Sequence, residues 1–232
     1  MKVLFIGNSF TFYNDIPKLF EKIATSSNKN VIVDSITKSA YTLEKLSNSS
    51  DEVGKKVDEK LNSSNDYDVI ILQEQSVRPL SNYQKFISSA KSLQTKINNT
   101  QKNCQIYLYA TWGYKSAADA RKITIEEMEM QLREAYKNAA QEMGVKVCNV
   151  GEAFTNVYNC HRDVELYSPS DMKHPSYAGS FLSACVLAAT ICEIDPMKST
   201  FNGVIEDDKE AIYKVDFAQV LKSEAYKVVF EE

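Results

Sequence analysis

Short apolar runs recur along the chain, with amphipathic stretches between them. Each run is rich in Val, Ile, Leu and Tyr and shows no alternation with polar residues, which is typical of parallel strands covered on both faces. The pattern predicts five strands, at residues 3–6, 31–36, 69–72, 105–110 and 145–150.

Apolar residues at helical spacing occupy the stretches between these runs. Asn14 or Asp15 is positioned to cap one helix, with Pro17 in its first turn, and Gly144 is a typical helix stop. The longest helix is expected to begin near Thr124. The predicted helices span residues 16–25, 43–61, 83–97, 117–143 and 177–192, and residues 217–228 are interpreted as a terminal helix or an extended strap.

Strand and helix thus alternate five times, with no internal repeat and no Pro/Gly-rich linker. Right-handed crossovers with this rhythm predict an α/β fold: a three-layer α/β/α sandwich around a flavodoxin-like, five-stranded parallel sheet. We expect residues 1–195 to form one domain and residues 196–232 to be a C-terminal extension packed on it.

The composition of the chain favours a soluble globular protein over a nucleic-acid-binding or membrane protein. The 232 residues are 44% hydrophobic and carry a net charge of −4, as in a soluble globular protein. Lys and Arg occur in blocks no longer than a pair, which argues against nucleic acid as a partner. The opening residues 1–6 include Lys2, and their apolar run is too short for a signal peptide core. The uncharged apolar stretch at residues 184–192 is too short for a membrane span.

Cysteine usage bears on compartment and metal binding. Five cysteines form an odd set without a C-x-x-C pair, which suits a reducing cytoplasm. Cys160 and His161 are the only Cys/His neighbours, and adjacent side chains rarely converge on one ion. We therefore expect a cytoplasmic protein with no metal and no cofactor; the pattern says nothing about its oligomeric state.

Ligands of open parallel sheets bind beyond the carboxyl ends of the strands, so the residues after each strand are candidates. Ser9 follows the first strand, and a nucleophilic serine needs a base. His174 is one of two histidines, and Asp171 precedes it at a spacing that lets a carboxylate orient the ring. Taken singly, Ser9 is also readable as a loop serine and Asp171 as a helix cap.

Two motifs together resemble the SGNH (GDSL-like) hydrolase superfamily: Gly7-Asn8-Ser9-Phe10 near the start and Asp171-x-x-His174-Pro175 later in the chain. Asn8 stands where that family usually has Asp. The resemblance covers residues 1 to about 190 and implies the SGNH hydrolase fold. It also implies that Ser9 is the nucleophile, His174 the base and Asp171 its acid.

The middle motifs depart from the family pattern. Ala40 stands where the family has a glycine whose N–H binds the oxyanion; a methyl group is compatible with this if φ is negative. Gln75, in a Leu-Gln-Glu-Gln-Ser third block, replaces an Asn that donates through its side-chain amide, and Gln73 is the second choice. The resemblance thus implies an oxyanion hole made of Ser9, Ala40 and Gln75.

Aromatic and polar residues near the strand ends are candidates for binding substrate: Phe10, Tyr41, Gln73 and Trp112. Ordinary core packing explains the aromatic rings equally well. Arg78 is interpreted as pairing with Glu74 rather than with a substrate carboxylate, and His161 as structural.

The function implied by the resemblance is hydrolysis of small O-acyl esters, with O-acetyl groups on carbohydrates as the substrate class. Two alternatives stay open. One is a catalytically degenerate SGNH-fold protein, suggested by the altered middle motifs. The other is a flavodoxin-like module in which residues 8–11 bind phosphate or flavin through main-chain N–H groups.

Overall fold

Five parallel strands form the centre of the molecule in a computed structural model that describes residues 1–63, 66–203 and 215–231. The strands run in the order β2-β1-β3-β4-β5, all parallel, which is the flavodoxin-like order. The predicted α/β sandwich is therefore confirmed. The strands are β1 (Lys2–Gly7), β2 (Ile32–Thr37), β3 (Val69–Leu72), β4 (Gln105–Ala110) and β5 (Lys146–Asn149).

Helices connect the strands and cover both faces of the sheet. Within the described residues they are α1 (Ser9–Phe12), α2 (Ile16–Ser26), α3 (Leu43–Leu46), α4 (Glu52–Leu61), α5 (Arg78–Ser81), α6 (Tyr83–Thr100), α7 (Lys115–Arg121), α8 (Ile125–Met143), α9 (Val150–Cys160), α10 (Tyr177–Cys192) and α11 (Val215–Phe230). On one side α10 packs against α2 and α11, and on the other α6 packs against α4 and α8.

The edge strand β2 differs from the expected pattern. None of its six residues is fully buried, whereas all four residues of β3 are. The prediction that every strand is covered on both faces is therefore wrong for β2. It lies at the end of the sheet, and among the described residues its one strand neighbour is β1.

Two predicted helices are each interrupted. The stretch 43–61 divides into α3 and α4, because Asp51 starts a new helix by accepting hydrogen bonds from the N–H groups of Val53 and Gly54. The stretch 117–143 divides at Lys122, which ends α7 in a left-handed conformation, and Thr124 then begins α8 with a reciprocal capping box with Glu127. The expected start near Thr124 is therefore correct.

Helix α9 was not predicted. No side chain caps it, and its first residue was assigned to the preceding strand. It forms because Ala153, Phe154 and Val157 are buried, where α9 contacts α8, α10 and α11.

The C-terminal helix α11 packs on α10. Its Lys222 is fully buried and donates hydrogen bonds to Ser199 O at 2.7 Å and Asn202 Oδ1 at 2.8 Å. His161, at the end of α9, lies 3.5 Å from Glu224 Oε1. The division into a domain of residues 1–195 and an extension stays a prediction, and residues 204–214 and 232 of that predicted extension lie outside the described residues.

The described residues contain no membrane-spanning helix, no metal-binding cluster and no disulfide bond. No helix there is long and apolar enough to cross a membrane. No group of three metal-ligating side chains occurs in that part of the chain. The five cysteines are all free thiols, and the cytoplasmic location stays a prediction.

Candidate active site

The candidate site lies at the carboxyl ends of β1 and β3, next to the point where the strand order reverses. In a flavodoxin-like sheet this is the crevice where ligands bind. Gly7 ends β1, and a Cβ on it would lie 2.6 Å from Thr11 Oγ1 and 2.7 Å from Gln73 Oε1. Only glycine lets these two side chains approach so closely.

Ser9 begins the short helix α1, and Asn8 caps it. The Asn8 side chain accepts a hydrogen bond from Phe10 N–H at 3.1 Å and donates one to Tyr41 O at 2.8 Å. Asn8 N–H in turn donates to Gln73 Oε1 at 2.9 Å. Asn8 therefore links the three loops that follow β1, β2 and β3, which the sequence motif alone did not show.

The structure brings Ser9, His174 and Asp171 together. Ser9 Oγ lies 2.8 Å from His174 Nε2, across 165 residues of sequence. The other ring nitrogen, Nδ1, is hydrogen-bonded to Asp171 Oδ2. Ser9, His174 and Asp171 are therefore hydrogen-bonded in series, and their roles as nucleophile, base and orienting acid stay a prediction.

Asp171 is held by more than the histidine ring. Its Oδ1 accepts the backbone N–H groups of Lys173 at 3.1 Å and His174 at 3.0 Å. Partial burial raises the pKa of Asp171, but the hydrogen bonds from His174 and Lys173 outweigh it and hold the pKa below its usual value. Asp171 is therefore ionised at neutral pH and favours the Nδ1–H tautomer, which leaves Nε2 free to accept a proton from Ser9.

Aromatic rings enclose the imidazole. Tyr13 stacks on His174 with centroids 4.2 Å apart and planes 6° from parallel, and Phe10 lies 5.4 Å away. Sequence reasoning did not single out Tyr13. Its contact with a ring 161 residues away is visible only in the folded chain.

Asn14 connects the nucleophile segment to the histidine segment. Its amide donates to Pro175 O at 3.3 Å and to Ser180 Oγ at 2.9 Å. Both Asn14 and Asp15 adopt φ of +50°, and so does Met172 between the predicted acid and base. Left-handed backbone costs a residue with a side chain about 1 kcal/mol or more, so tertiary contacts must hold these turns.

The predicted oxyanion side consists of backbone groups and amides. Within the described residues, the N–H groups of Ser9 and Ala40 donate to no acceptor. Ala40 is exposed and has φ of +59°, so the condition of negative φ set for a methyl group here is not met. The chain adopts the conformation that glycine would favour and carries the strain of a Cβ.

The two candidate glutamines have different surroundings. Gln73 is fully buried, and its Oε1 accepts hydrogen bonds from Asn8 N–H and Thr11 Oγ1, both at 2.9 Å. Gln75 is half-buried; its Nε2 donates to Ser76 Oγ at 3.2 Å and its Oε1 accepts Val77 N–H at 3.2 Å. Gln73 therefore holds loops together, and Gln75 has the more accessible amide.

Solved structures share this architecture. A candidate SGNH hydrolase from Slackia heliotrinireducens superposes with a TM-score of 0.70 at 26% sequence identity, covering 82% of this chain and 98% of its own. The chain has the SGNH hydrolase fold. The resemblance inferred from its first and last motifs is confirmed, while the assignment of the third block stays a prediction.

Other solved structures with a similar fold are more distant in sequence. A DUF4886 family protein from Bacteroides uniformis superposes over 99% of this chain and 95% of its own, with a TM-score of 0.82 at 16% identity. An acetyl xylan esterase covers 82% of this chain and all of its own, with a TM-score of 0.59 at 12% identity. No protein-family profile and no curated protein matches the chain.

Three of the four predicted substrate-binding residues are not accessible in this SGNH fold, which corrects that prediction. Phe10 is 2% exposed, and Gln73 and Trp112 are fully buried. Trp112 is stacked between Phe10 and Phe154, and its indole N–H donates to a backbone carbonyl. Phe10 and Trp112 are therefore part of the hydrophobic core, because burial of such large rings is stabilising.

Tyr41 is the predicted substrate-binding residue that remains partly exposed. The ammonium groups of Lys38 and Lys45 lie 4.9 Å and 5.0 Å from the centre of its ring. The expected pairing of Arg78 with Glu74 is wrong, because the Arg78 guanidinium is hydrogen-bonded to Glu44 instead.

Proposed function

We propose that this protein is a serine esterase that hydrolyses small O-acyl esters through Ser9, His174 and Asp171. The observation that carries the proposal is the 2.8 Å contact between Ser9 Oγ and His174 Nε2, with Asp171 on the opposite ring nitrogen. A structural serine would not need a histidine oriented by a carboxylate. The degenerate and ligand-binding alternatives leave that alignment without a purpose.

The proposed reaction has two stages. His174 Nε2 takes the proton of Ser9 Oγ as the oxygen attacks the ester carbonyl carbon, and the imidazolium then protonates the leaving alkoxide. An acyl-enzyme on Ser9 remains. Water, deprotonated by His174, attacks that acyl carbon, and the proton returns to Ser9 as the free acid leaves.

The negative oxygen formed in each stage needs donors that are already in place. The N–H groups of Ser9 and Ala40 are candidates because neither has an acceptor within the described residues. The Gln75 amide is the candidate third donor, since the Gln73 amide N–H already donates to Glu74 O in the core.

One observation favours a small acyl group, and another favours the class of ester hydrolases. Phe10, Trp112 and Tyr114, which would line a groove for a long acyl chain, are each at most 5% exposed. Solved structures with the same fold include an acetyl xylan esterase and a lipase/acylhydrolase, which supports the class of carboxylic ester hydrolases. Acetyl esters, including those on carbohydrates, are therefore the substrates to test first.

The test is release of p-nitrophenol from p-nitrophenyl acetate by wild-type protein and by Ser9→Ala. Ser88→Ala is a matched control, since Ser88 is an exposed serine of α6. We expect turnover by the wild type and the control, none above background by Ser9→Ala, and fluorophosphonate labelling of Ser9 alone. A folded wild-type protein that neither turns over the ester nor takes up the label would refute the esterase.

A further inference from the structure

Glu74 is a buried carboxylate beside the candidate active site that the proposed reaction does not use. It follows β3, and none of its surface is exposed. One oxygen, Oε1, accepts two backbone hydrogen bonds: from Leu43 N–H at 3.1 Å and from Gln75 N–H at 2.6 Å. A single Glu74 oxygen therefore joins Gln75 to Leu43, which lies 31 residues before Glu74 in sequence.

These two segments carry the candidate oxyanion donors. Leu43 is the first residue of α3 and directly follows the loop of residues 38–42, which contains Ala40. Gln75 supplies the side-chain amide. We propose that Glu74 is a positioning residue, which holds the Ala40 loop and Gln75 at a set separation so that both can donate to the same oxyanion; this role rests on the proposed esterase function.

The Ala40 loop needs such an attachment. Ala40 is exposed and left-handed, so its local conformation is strained rather than self-stabilising. Asn8 holds the loop from one side through Tyr41 O, and Glu74 holds it from the other through Leu43 N–H. The first attachment fixes the loop to Ser9, and the second fixes it to Gln75.

The second oxygen of Glu74, Oε2, is available to bind a proton. Within the described residues Oε2 has no hydrogen-bond partner, and neither do the buried hydroxyls of Thr111 and Tyr136. Burial raises the pKa of Glu74 to about 7, while the two backbone N–H groups and the charge of Arg78 oppose that rise. The negative charge of Glu44, the partner of Arg78, raises the pKa of Glu74 further. The Tyr136 hydroxyl also faces Glu74.

The direction of the pH effect follows. An ionised carboxylate accepts hydrogen bonds more strongly than a carboxylic acid, so the attachment weakens as the pH falls through about 7. Because burial raises the pKa of Glu74 from its usual 4.5 to about 7 in the folded protein, the free energy of unfolding falls as the pH rises from about 4.5 to about 7. Glu74 therefore favours activity at a cost in stability.

The experiment compares Glu74→Gln with Glu129→Gln. Glutamine has the shape and neutrality of the protonated acid. Glu129 is a matched control: it is 3% exposed, and burial raises its pKa to about 7 as well, but its ion-pair partner is Arg133 of α8. The readouts are kcat, KM, their pH profiles and the melting temperature, with p-nitrophenyl acetate as substrate.

We expect both variants to melt at pH 8 no lower than the wild type. Only Glu74→Gln should lose kcat, on the order of ten- to a hundredfold with KM within about twofold, because the oxyanion exists only in the transition state. The acid limb of its kcat/KM profile should lack the ionisation of Glu74, which the acid limbs of the wild type and of Glu129→Gln should both contain. Equal kcat and equal acid limbs in the two variants would overturn the proposal.

A second variant, Glu74→Asp, tests the proposal if Glu74→Gln does not fold. Glu74→Asp keeps the charge but shortens the side chain by one methylene, so it should lose kcat in the same way; a folded Glu74→Asp with wild-type kcat would overturn the proposal. Failure of the esterase itself is distinguishable. In that case the wild type shows neither turnover nor fluorophosphonate labelling, whereas failure of the Glu74 role leaves both intact.

Discussion

The two halves of the candidate site are built differently. In the half that holds Ser9, His174 and Asp171, the proposed chemistry belongs to side chains, and the residue types match the SGNH motifs closely. In the half that holds Ala40 and Gln75, most donors are backbone N–H groups, and the residue types depart from the family pattern. Both halves meet at Asn8, which caps α1 and binds Tyr41 O.

The difference shows what constrains each half. A general base must be an imidazole at the right place, so its replacement removes the reaction. A backbone N–H is present on every residue except proline, so the oxyanion half tolerates substitution if other contacts hold the backbone. Here Glu74 and Asn8 supply those contacts, and the strain at Ala40 is the consequence of a non-glycine residue.

The side-chain half should fail completely when one member is removed. We expect His174→Ala to lower kcat on the order of 10⁵-fold or more, because the base and nucleophile act as a unit. The double variant Ser9→Ala/His174→Ala should be no slower than either single variant. His161→Ala is the matched control, since that histidine pairs with Glu224 instead. Steady-state ester hydrolysis checks this, and activity above a tenth of wild type would contradict it.

Asp171→Asn should have the next largest effect, a loss of kcat on the order of 10⁴-fold. The amide cannot accept the Nδ1–H bond as a carboxylate does, so His174 loses the tautomer that presents Nε2 to Ser9. Asp163→Asn, an exposed acid outside the triad, serves as the control. A loss of less than tenfold in kinetics at pH 8 would show that Asp171 only caps its turn.

The two glutamines should separate activity from stability. Gln75→Ala is expected to lower kcat about a hundredfold or more with little change in melting temperature. Gln73→Ala should instead lower the free energy of unfolding by about 2 kcal/mol or more, because the Asn8 N–H and Thr11 hydroxyl lose their acceptor. Urea unfolding and kinetics on both variants check this. The reverse pattern would make Gln73 the donor.

Asn8 tests the junction between the halves. We expect Asn8→Ala to lower the free energy of unfolding by about 1 kcal/mol through loss of the cap, and kcat about tenfold through loss of the Tyr41 attachment. Asn8→Asp should retain the cap but not donate to Tyr41 O. Asn82→Ala removes a cap from α6, away from the site, and should change stability alone. Equal kcat in all three variants would remove Asn8 from the site.

The smallest effect is expected at Ala40. Ala40→Gly relieves the left-handed strain but loosens the unfolded chain, so the free energy of unfolding should rise by no more than about 1 kcal/mol and kcat should stay within about twofold. Ala40→Val should destabilise by more than 1 kcal/mol. Lys122→Gly, at another residue with φ near +57°, is the control for the backbone effect alone. A large kcat loss in Ala40→Gly would mean that the methyl group itself contributes to the site.

Sequence reasoning recovered the sheet and most helices because their apolar periodicity is long and regular. It missed α9, although Val150, Ala153, Phe154 and Val157 are at helical spacing, because the segment has no cap and directly continues a strand. It also merged α3 with α4, where Asp51 begins a new helix. Boundaries of this kind depend on capping and on what each face meets, which periodicity does not report.

The sequence by itself determined the fold class and the identity of the candidate triad, because both depend on residue types and their order along the chain. Only the tertiary structure decided which aromatic rings are buried and which are partly exposed. It also decided which glutamine is hydrogen-bonded in the core and that Arg78 pairs with Glu44. The physical reason is that burial and hydrogen-bond partners are set by segments far apart in sequence. Glu74, which joins Leu43 to Gln75 through one oxygen, is a residue whose surroundings exist only after folding.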